Sequence, residues 1–534
     1  MLRVVGDRVV AKKRRPQRIQ NYGLEPIAIS EMGAAVDYSM AERIDGHKGT
    51  AASDAGRKRR SHTTPLHLSD LDYFIAYATY APMWEFAEEI ADDLEIRIGP
   101  GRPREYEIHS VIMSDVMLYE KSSVRRMFRS LDNNRMWGIL KTEIEKAWPH
   151  HRTRRLEETP LSRDQYNRGR RILIDNVFCY IDRLREHCQE TQLEIARLIG
   201  CFVDDDSLTH PSNHNMIYGD ATWLESLYHS NIAGVRVDPE TGEIIHRRYD
   251  PDAVRYQDDT QFPGNYWVSA LVRTEHAHER VILDAQFRSD GIGDGGVFTN
   301  MVLPIIGSVP EVRGVGYDMA LHPPDQDRIL DTGRHVLTKT SLTNKGKRAQ
   351  VPLGTYAFKD SGRELDLPVT AFDGTPGIQM VIDGQRLWQP LERVQTKRRG
   401  TTLYGHWRIP ELDAVSPHLR GLTAWIRQSS TDDERATGKR RTRALRTIPP
   451  TDTDWRRLFG GREDTESMHN HMKEKWFGRR VRAVGLERRE LQLRGYQIHQ
   501  GITALLAWHY RTGGDVSRYF GTWDPPNRNP KPRT

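Results

Sequence analysis

The sequence predicts an α/β protein in which a helical domain precedes a core with a central sheet, and a β-rich insertion interrupts that core. Three observations predict this arrangement. Apolar residues recur every three or four positions from about 67 to 208. Short β-type runs then alternate with two helix candidates as far as 344. From 345 to 448 the helical periodicity disappears, and strand-like runs are separated by Asp-Gly, Gly-Thr and Pro.

Length and charge indicate several structural units and a basic amino-terminal arm. The chain has 534 residues, which suggests about three or four units of ordinary domain size. Residues 1–66 contain 13 Lys and Arg against 7 Asp and Glu, so their surplus of six equals the whole net charge of +6. We expect this arm to be disordered. A basic arm is typical of polyanion-binding proteins, and a solvated tail is the alternative interpretation.

Cysteine usage and hydropathy exclude several classes of protein. Cys179, Cys188 and Cys201 are odd in number and have no CxxC spacing, so they predict neither a disulfide framework nor a zinc site. The amino terminus lacks an apolar signal core, and no apolar stretch is long enough to span a membrane. We therefore expect a soluble protein of a reducing cytoplasm.

The elements of the core follow from local patterns. The predicted strands of 209–344 are NMIYGDATW, NYWVSALVRT, ERVILDAQF, VRGVGYDMAL and HVLTKT, and the predicted helices are GGVFTNMVLPIIG and PPDQDRILDTG. Helices resume in 449–512, which we assign to the last part of the core. Residues 513–534 form a Pro-rich tail.

Two aspartates follow apolar, strand-like runs. Asp220 follows Met-Ile-Tyr-Gly, and Asp318 follows Val-Gly-Tyr. Carboxylates that project from adjacent strand ends can share divalent cations. A single aspartate at such a position is more often a turn former or a helix cap. Asp284 and Asp290, which also follow a strand, compete with Asp220 for the role of first ligand.

A third carboxylate lies in a regularly spaced charged segment. Arg462, Glu466 and Lys473 are separated by four and seven residues, which places them within roughly 40° of one another on a helix. Taken alone, this pattern also fits a solvated helix stabilised by Arg–Glu pairing. The order Asp220, Asp318, Glu466 resembles that of the catalytic carboxylates of the DDE transposases.

These residues resemble the DDE transposases. Phe459-x2-Arg462-x3-Glu466-x6-Lys473 is similar to the Tyr-x2-Arg-x3-Glu-x6-Lys signature of a large group of bacterial insertion-sequence transposases, with Phe in place of Tyr. Gly219-Asp220-Ala221-Thr222 and Gly316-Tyr317-Asp318 extend the resemblance, which covers roughly 210–510. It implies an RNase H-like catalytic core for 209–344 and 449–512, interrupted by the β-rich insertion 345–448.

The resemblance also implies a chemistry. Asp220, Asp318 and Glu466 are expected to hold two Mg²⁺ or Mn²⁺ ions for DNA strand cleavage and transfer. Arg462 and Lys473 are expected to hold the DNA backbone, and Phe459 to keep the packing role of the family's Tyr. Cut-and-paste transposition, recognition of terminal inverted repeats by the helical domain 67–208, and a homodimer on paired DNA ends are the further expectations. The location implied is the bacterial cytoplasm, at the nucleoid.

Other residues have two interpretations each. The basic runs at 397–399 and at Lys439, Arg440 and Arg441 fit either solvated loops or DNA backbone contacts. Trp388 and Trp407 fit either core packing or stacking on an extruded base. His469 and His471 point too far apart on a helix to share one ion, although His469 can lie at the edge of the catalytic face. Residues 191–200 fit a packed amphipathic helix better than the first half of a helix-turn-helix.

Two rival functions accompany this hypothesis. The first is an inactive or domesticated relative that binds DNA without cutting it. The second is a different RNase H-like nuclease. Cleavage that depends on the element ends distinguishes the transposase from both.

Overall fold

The computed structural model describes residues 68–98, 106–121, 124–131, 134–204, 206–255, 262–276, 278–288, 291–340, 350–382, 385–412, 415–475, 480–481 and 483–525. The predicted basic arm, Asp290 and the last nine residues of the predicted tail lie outside the described residues. The architecture is mixed α/β, with a helical region, a five-stranded sheet and a separate seven-stranded sheet.

The region 68–202 is helical, as its periodicity predicts. Its helices are α1 (Asp70–Thr79), α2 (Ala81–Ile98), α3 (Ile108–Lys121), α4 (Val124–Leu131), α5 (Asn134–Ala147), α6 (Arg163–Asn176) and α7 (Tyr180–Leu198). Ser69 and Ser162 begin α1 and α6 with reciprocal capping bonds to the third helical residue. The described part of 200–212 forms no second helix after α7, whose Thr191 and Ile195 are buried. This agrees with the packed-helix interpretation.

The five-stranded sheet is the centre of the next region. Its strands are β1 (Met216–Glu225), β4 (Gly264–Arg273), β5 (Arg280–Phe287), β6 (Gly314–Gly316) and β7 (His335–Leu337). Their order in the sheet is β5-β4-β1-β6-β7. β4 is antiparallel to both of its neighbours, whereas β1, β6 and β7 are parallel to one another.

Two helices connect these strands at the predicted positions. They are α8 (Asp294–Ser308), between β5 and β6, and α9 (Pro323–Leu330), between β6 and β7. The sequence analysis missed an exposed ribbon of β2 (Val235–Val237) and β3 (Ile244–His246). Each strand has three residues, which is too short for a clear alternation of apolar and polar side chains.

The segment 350–427 forms a seven-stranded sheet, as the strand-like runs predict. Its strands are β8 (Gln350–Lys359), β9 (Glu364–Phe372), β10 (Thr375–Ile382), β11 (Gln385–Pro390), β12 (Glu392–Arg399), β13 (Thr402–Arg408) and β14 (Thr423–Arg427). Their order is β11-β10-β9-β8-β14-β13-β12, and all neighbours are antiparallel. A hydrophobic core of its own lies under this sheet.

Helices also follow the seven-stranded sheet, and the longest of them packs on β5 of the five-stranded sheet. They are α10 (Asp432–Ala436), α11 (Thr453–Phe459), α12 (Glu463–Lys475), α13 (Leu486–Thr512) and α14 (Ser517–Phe520). Side chains of β1 alternate between two cores: Ile217 packs with α8 and the helical region, and Tyr218 packs with α12 and α13. None of the described helices is both long and apolar enough to cross a bilayer. Cys179, Cys188 and Cys201 are free thiols.

A buried histidine in the helical region predicts sensitivity to acid. His109 stacks on Trp84 with 3.5 Å between ring centroids, and both of its ring nitrogens are buried without a hydrogen-bond partner in the described structure. Burial lowers the pKa of His109 to about 3. Only the unfolded chain then binds a proton as the pH falls below about 6.5, so His109 costs about 1.4 kcal/mol of stability per pH unit from there towards pH 3.

We expect His109→Phe to reduce the slope of unfolding free energy against pH between 6.5 and 4 by about one proton. Urea denaturation at several pH values measures this slope. His150→Phe, at an exposed position, is the matched control and should keep the wild-type slope. Equal slopes for both variants would contradict the prediction.

Candidate active site

Asp220 and Asp318 lie side by side where two parallel strands separate. Tyr218 of β1 is the register partner of Gly316 of β6; Asp220 lies two residues further along β1, and Asp318 lies two residues beyond the end of β6. Residues two apart on a strand point to the same face, so the Asp220 carboxylate points to the face that α12 covers, and Asp318 is close enough for Asp220 to raise its pKa. Asp220 lies in the middle of β1, not at its end, but it is just beyond the pairing with β6.

Two glycines permit the close packing that brings helices to this point. A Cβ on Gly461 would lie 2.4 Å from the ring of Tyr218, so only glycine lets the start of α12 approach β1. A Cβ on Gly219 would lie 2.2 Å from the ring of Phe298 on the opposite face, where α8 packs. The residues next to Asp220 are thus in tight contact on both faces of the sheet.

Arg462 joins two of the three predicted carboxylates. Its guanidinium lies 3.4 Å from Asp220 Oδ1 and 2.5 Å from Glu466 Oε1. Arg462 lies in a 3₁₀ turn (Gly460–Arg462), and Glu466 is in the first turn of α12. The predicted Arg–Glu pairing is therefore present, but the same guanidinium also contacts a strand 242 residues away in the sequence. A solitary solvated helix does not make this contact.

His469 lies beside one carboxylate oxygen of Asp220, and Arg462 lies beside the other. Its Nδ1 lies 3.6 Å from Asp220 Oδ2, and its Nε2 lies 2.8 Å from the hydroxyl of Ser269 on β4. Burial lowers the pKa of His469, against the opposing effect of Asp220, so the imidazole is neutral. His469 thus lies beside Asp220 and bonds the strand next to it. Ser269 has no sequence signal, because its role depends on the register between β1 and β4.

The surroundings of Asp318 disfavour a negative charge. Burial raises the pKa of Asp318, and the nearby carboxylates of Asp220 and Asp294 raise it further. Asp294 begins α8, whose first turn packs against the loop after Asp318: a Cβ on Gly295 would lie 2.3 Å from the carbonyl oxygen of Ala320. Sequence analysis missed Asp294. The available signal was its position at the start of an apolar helix after β5.

The carboxylates suit a divalent cation chemically. Mg²⁺ and Mn²⁺ prefer carboxylate oxygens, and a cation would relieve the repulsion that raises the pKa of Asp318. Within the described part of the chain, no group of three or more His, Cys, Asp or Glu side chains is arranged to hold a metal ion. Arg462 instead bridges Asp220 and Glu466.

Asp284, the competitor of Asp220, has a different environment. Its side chain is fully buried and accepts two hydrogen bonds from Arg185 of α7, at 3.0 and 2.6 Å. A second guanidinium, that of Arg494 on α13, lies 3.5 Å from it. Two arginines from two helices thus neutralise Asp284, which favours a structural role.

Phe459 and Lys473 complete the sequence signature. Phe459 is partly buried and stacks on Trp455 with ring centroids 4.9 Å apart, so the ring has the packing role expected of it. The guanidinium of Arg462 lies 5.7 Å from the centre of the Phe459 ring. Lys473 lies on α12, and its charge contributes to lowering the pKa of His469.

Most residues of the β-rich segment that were predicted to contact DNA are buried or paired within the protein. Trp388 and Trp407 are 4% and 0% exposed, which agrees with the core-packing interpretation and leaves neither ring free to stack on a base in this conformation. Arg441 is buried and bonds Glu434 and Tyr356, and Arg440 pairs with Asp327 of α9 at 2.7 Å. Arg440 therefore connects the segment to the core, and Arg441 connects parts of the segment to one another. Lys439 is exposed.

Comparisons with solved structures show a distant structural likeness. No protein-family model and no curated protein matches the chain. A cryo-EM structure of a piggyBac transposase synaptic complex with hairpin DNA is similar with a TM-score of 0.31 and 11% sequence identity. The likeness covers 83% of this chain and 76% of that chain. A similarity of this size does not assign the chain to a family.

Proposed function

We propose that this protein is a DNA transposase that cuts and joins DNA at the ends of an insertion sequence. The observation that carries the proposal is the arrangement around Asp220, which is bridged to Glu466 of a distant helix and has Asp318 of a neighbouring connection close by. Arg462 connects Glu466 to Asp220, and Asp220 is near enough to Asp318 to affect its pKa. A purely structural ion pair of Arg462 with Glu466 would require neither Asp318 nor its partly exposed position beyond the end of β6.

The proposed catalytic core is RNase H-like. Its support is the sheet order, in which the first three strands of the sheet in sequence are antiparallel neighbours and the last two are parallel to the first. The strands of the seven-stranded sheet lie between β7 and α12 in the sequence, so they separate Asp318 from Glu466. This is the place of the insertion that the resemblance implies.

The proposed roles follow from the side-chain chemistry. Asp220, Asp318 and Glu466 would hold two Mg²⁺ or Mn²⁺ ions, which when bound supply activation of a water or DNA 3′-OH and stabilisation of the leaving oxygen. Arg462 releases its carboxylates and grips a DNA phosphate bidentately, a geometry that guanidinium favours. His469 and Ser269 limit the rotation of Asp220. Lys473 adds a point charge towards the phosphate backbone.

The helical region offers a surface for the DNA backbone. Exposed arginines lie on α4 and α6, which pack against each other: Arg125, Arg129, Arg168 and Arg171. Arginines near phosphates release condensed counterions, which favours binding independent of base sequence. We propose that this surface holds the element end, with a homodimer holding the two ends together.

Metal removal tests the proposed function. We expect the protein to nick duplex DNA that carries the inverted repeats flanking its gene when Mg²⁺ or Mn²⁺ is present, and to bind the same DNA without cutting it in EDTA. Duplexes with scrambled ends are the control. Binding without cleavage in either metal would favour a non-catalytic DNA-binding protein. Cleavage that ignores the repeats would favour another type of nuclease.

A further inference from the structure

The three strands β12, β13 and β14 have one face that does not pack on the core. Alternate residues, including Thr396, Leu403, Trp407 and Ile426, are buried beneath the sheet. The intervening side chains point outward and are exposed or half-buried: Lys397, Arg399, Tyr404, His406, Trp425 and Arg427. We call this set the outer strip.

The outer strip is a continuous row of aromatic and cationic groups. His406 and Trp425 are register partners, and their rings stack with centroids 4.4 Å apart and planes at 10°. The Lys397 ammonium lies 3.4 Å from the centre of the Trp425 ring. On the next pair of positions, the Arg399 guanidinium lies 5.6 Å from the centre of the Tyr404 ring. The Trp425 ring thus contacts both an aromatic ring and a cation, and the Tyr404 ring contacts a second cation in the same row.

Positive charge dominates this face. Four Lys and Arg side chains of the three strands point outward: Lys397, Arg399, Arg408 and Arg427. Glu392 is the one outward carboxylate of these strands, and it pairs with Arg408 at 2.8 Å. The pKa of Lys397 lies below its usual value because of desolvation and the nearby Arg399. The pKa of His406 is lowered by its partial burial and by Lys397. A bound anion would relieve this crowding of like charges.

We propose that the outer strip binds unpaired bases of single-stranded DNA. Aromatic rings accept stacked bases of any sequence, and neighbouring cations hold the phosphates between them. A base on Trp425 displaces Lys397, whose ammonium then pairs with a phosphate. Duplex DNA hides the faces of its bases, so the strip distinguishes single strands from duplex. The inference rests on the proposed function for the choice of DNA as the polymer.

Substitution of Trp425 tests the inference with a labelled oligothymidine of about 12 nucleotides, measured by fluorescence anisotropy. Trp425→Leu keeps an apolar side chain but removes the ring, and we expect it to weaken binding about 5- to 100-fold. Trp425→Phe keeps a ring and should retain most of the affinity. Phe178→Leu, at an exposed aromatic of the helical region, should bind as wild type does.

Three results would overturn the inference: unchanged binding by Trp425→Leu, an equal loss in Phe178→Leu, or tighter binding of the matching RNA. Urea denaturation of Trp425→Leu shows whether the fold is retained. If it is not, the oligothymidine affinities of Trp425→Phe and Lys397→Ala are compared instead, since both variants change the same surface. Cleavage of repeat-carrying duplex is assayed in the same preparations. Single-strand binding that depends on Trp425 without any cleavage would contradict only the proposed function, and the reverse would contradict only this inference.

Discussion

Replacing Asp318 with asparagine is expected to slow DNA strand cleavage at least about 1,000-fold while leaving the fold and DNA binding intact. Asparagine keeps the oxygen that accepts the Ala320 amide hydrogen at 2.8 Å, so the loop after β6 can keep its conformation. What is lost is the negative charge that would bind a cation. The effect is large because the bound cations would act on both the attacking and the leaving oxygen of an in-line displacement, and Asp318 would help to hold them.

The measurement is cleavage of repeat-carrying duplex in Mg²⁺, together with Mn²⁺ binding by calorimetry. Asp331→Asn is the matched control, since Asp331 lies in the same connection between β6 and β7 but pairs with Arg435, away from the site. It should cut at the wild-type rate. Undiminished cleavage by Asp318→Asn would remove Asp318 from the proposed site, and unaltered Mn²⁺ binding would remove it as a ligand.

Replacing Asp284 with alanine is expected to cost about 3–5 kcal/mol of unfolding free energy, the largest effect on stability that we predict. Asp284 is fully buried and balances Arg185 and Arg494, and Arg494 is itself 1% exposed. Without the carboxylate, Arg494 retains Glu490 as its partner, but two guanidinium groups must share less buried negative charge. The loss should separate α7 and α13 from β5.

Equilibrium unfolding in urea measures this loss. Asp93→Ala removes the aspartate of an exposed ion pair with Arg183, in the same helical region, and should cost no more than about 1 kcal/mol. A wild-type unfolding free energy for Asp284→Ala would contradict the structural role. Asp220→Ala provides the complementary comparison. It should abolish cleavage because Asp220 lies in the proposed site. Its loss of stability should be smaller than that of Asp284→Ala, because Asp220 is partly exposed and Asp284 is fully buried.

Much of the local structure is predictable because it depends on neighbouring residues. The strands around Asp220, Asp284 and Asp318 and the helices between them follow from apolar periodicity, turn residues and caps. The pairing of Arg462 with Glu466 follows from helical spacing alone. In each case the interacting residues lie within a few positions of one another.

The environment of each carboxylate was not predictable in the same way. Asp220 and Asp284 both follow apolar strand residues, so the local pattern does not separate them. The difference is that Asp284 faces two arginines from distant helices, and Asp220 faces Arg462 and His469. Only the packing of segments that are far apart in sequence decides which carboxylate is neutralised by buried arginines.

The same reason explains the basic and aromatic residues of the β-rich segment. Composition marks Trp388, Trp407 and the run 439–441 as candidates for DNA contact, but it does not indicate which side of a strand faces the core. The register of the seven-stranded sheet buries both tryptophans and turns Trp425 outward beside His406, and Arg441 is buried in a 3₁₀ turn that follows the sheet. A shift of one residue in a strand exchanges its two faces.

The sequence by itself therefore determined the alternation of helices and strands, the basic amino-terminal arm and the spacing of Arg462, Glu466 and Lys473, since these are local properties. Tertiary structure alone decided that Arg462 links Glu466 to Asp220, that Ser269 lies opposite Asp220 and Asp294 near Asp318, and which aromatic rings remain outward. Those outcomes depend on sheet order, register and close helix packing, which join residues hundreds of positions apart.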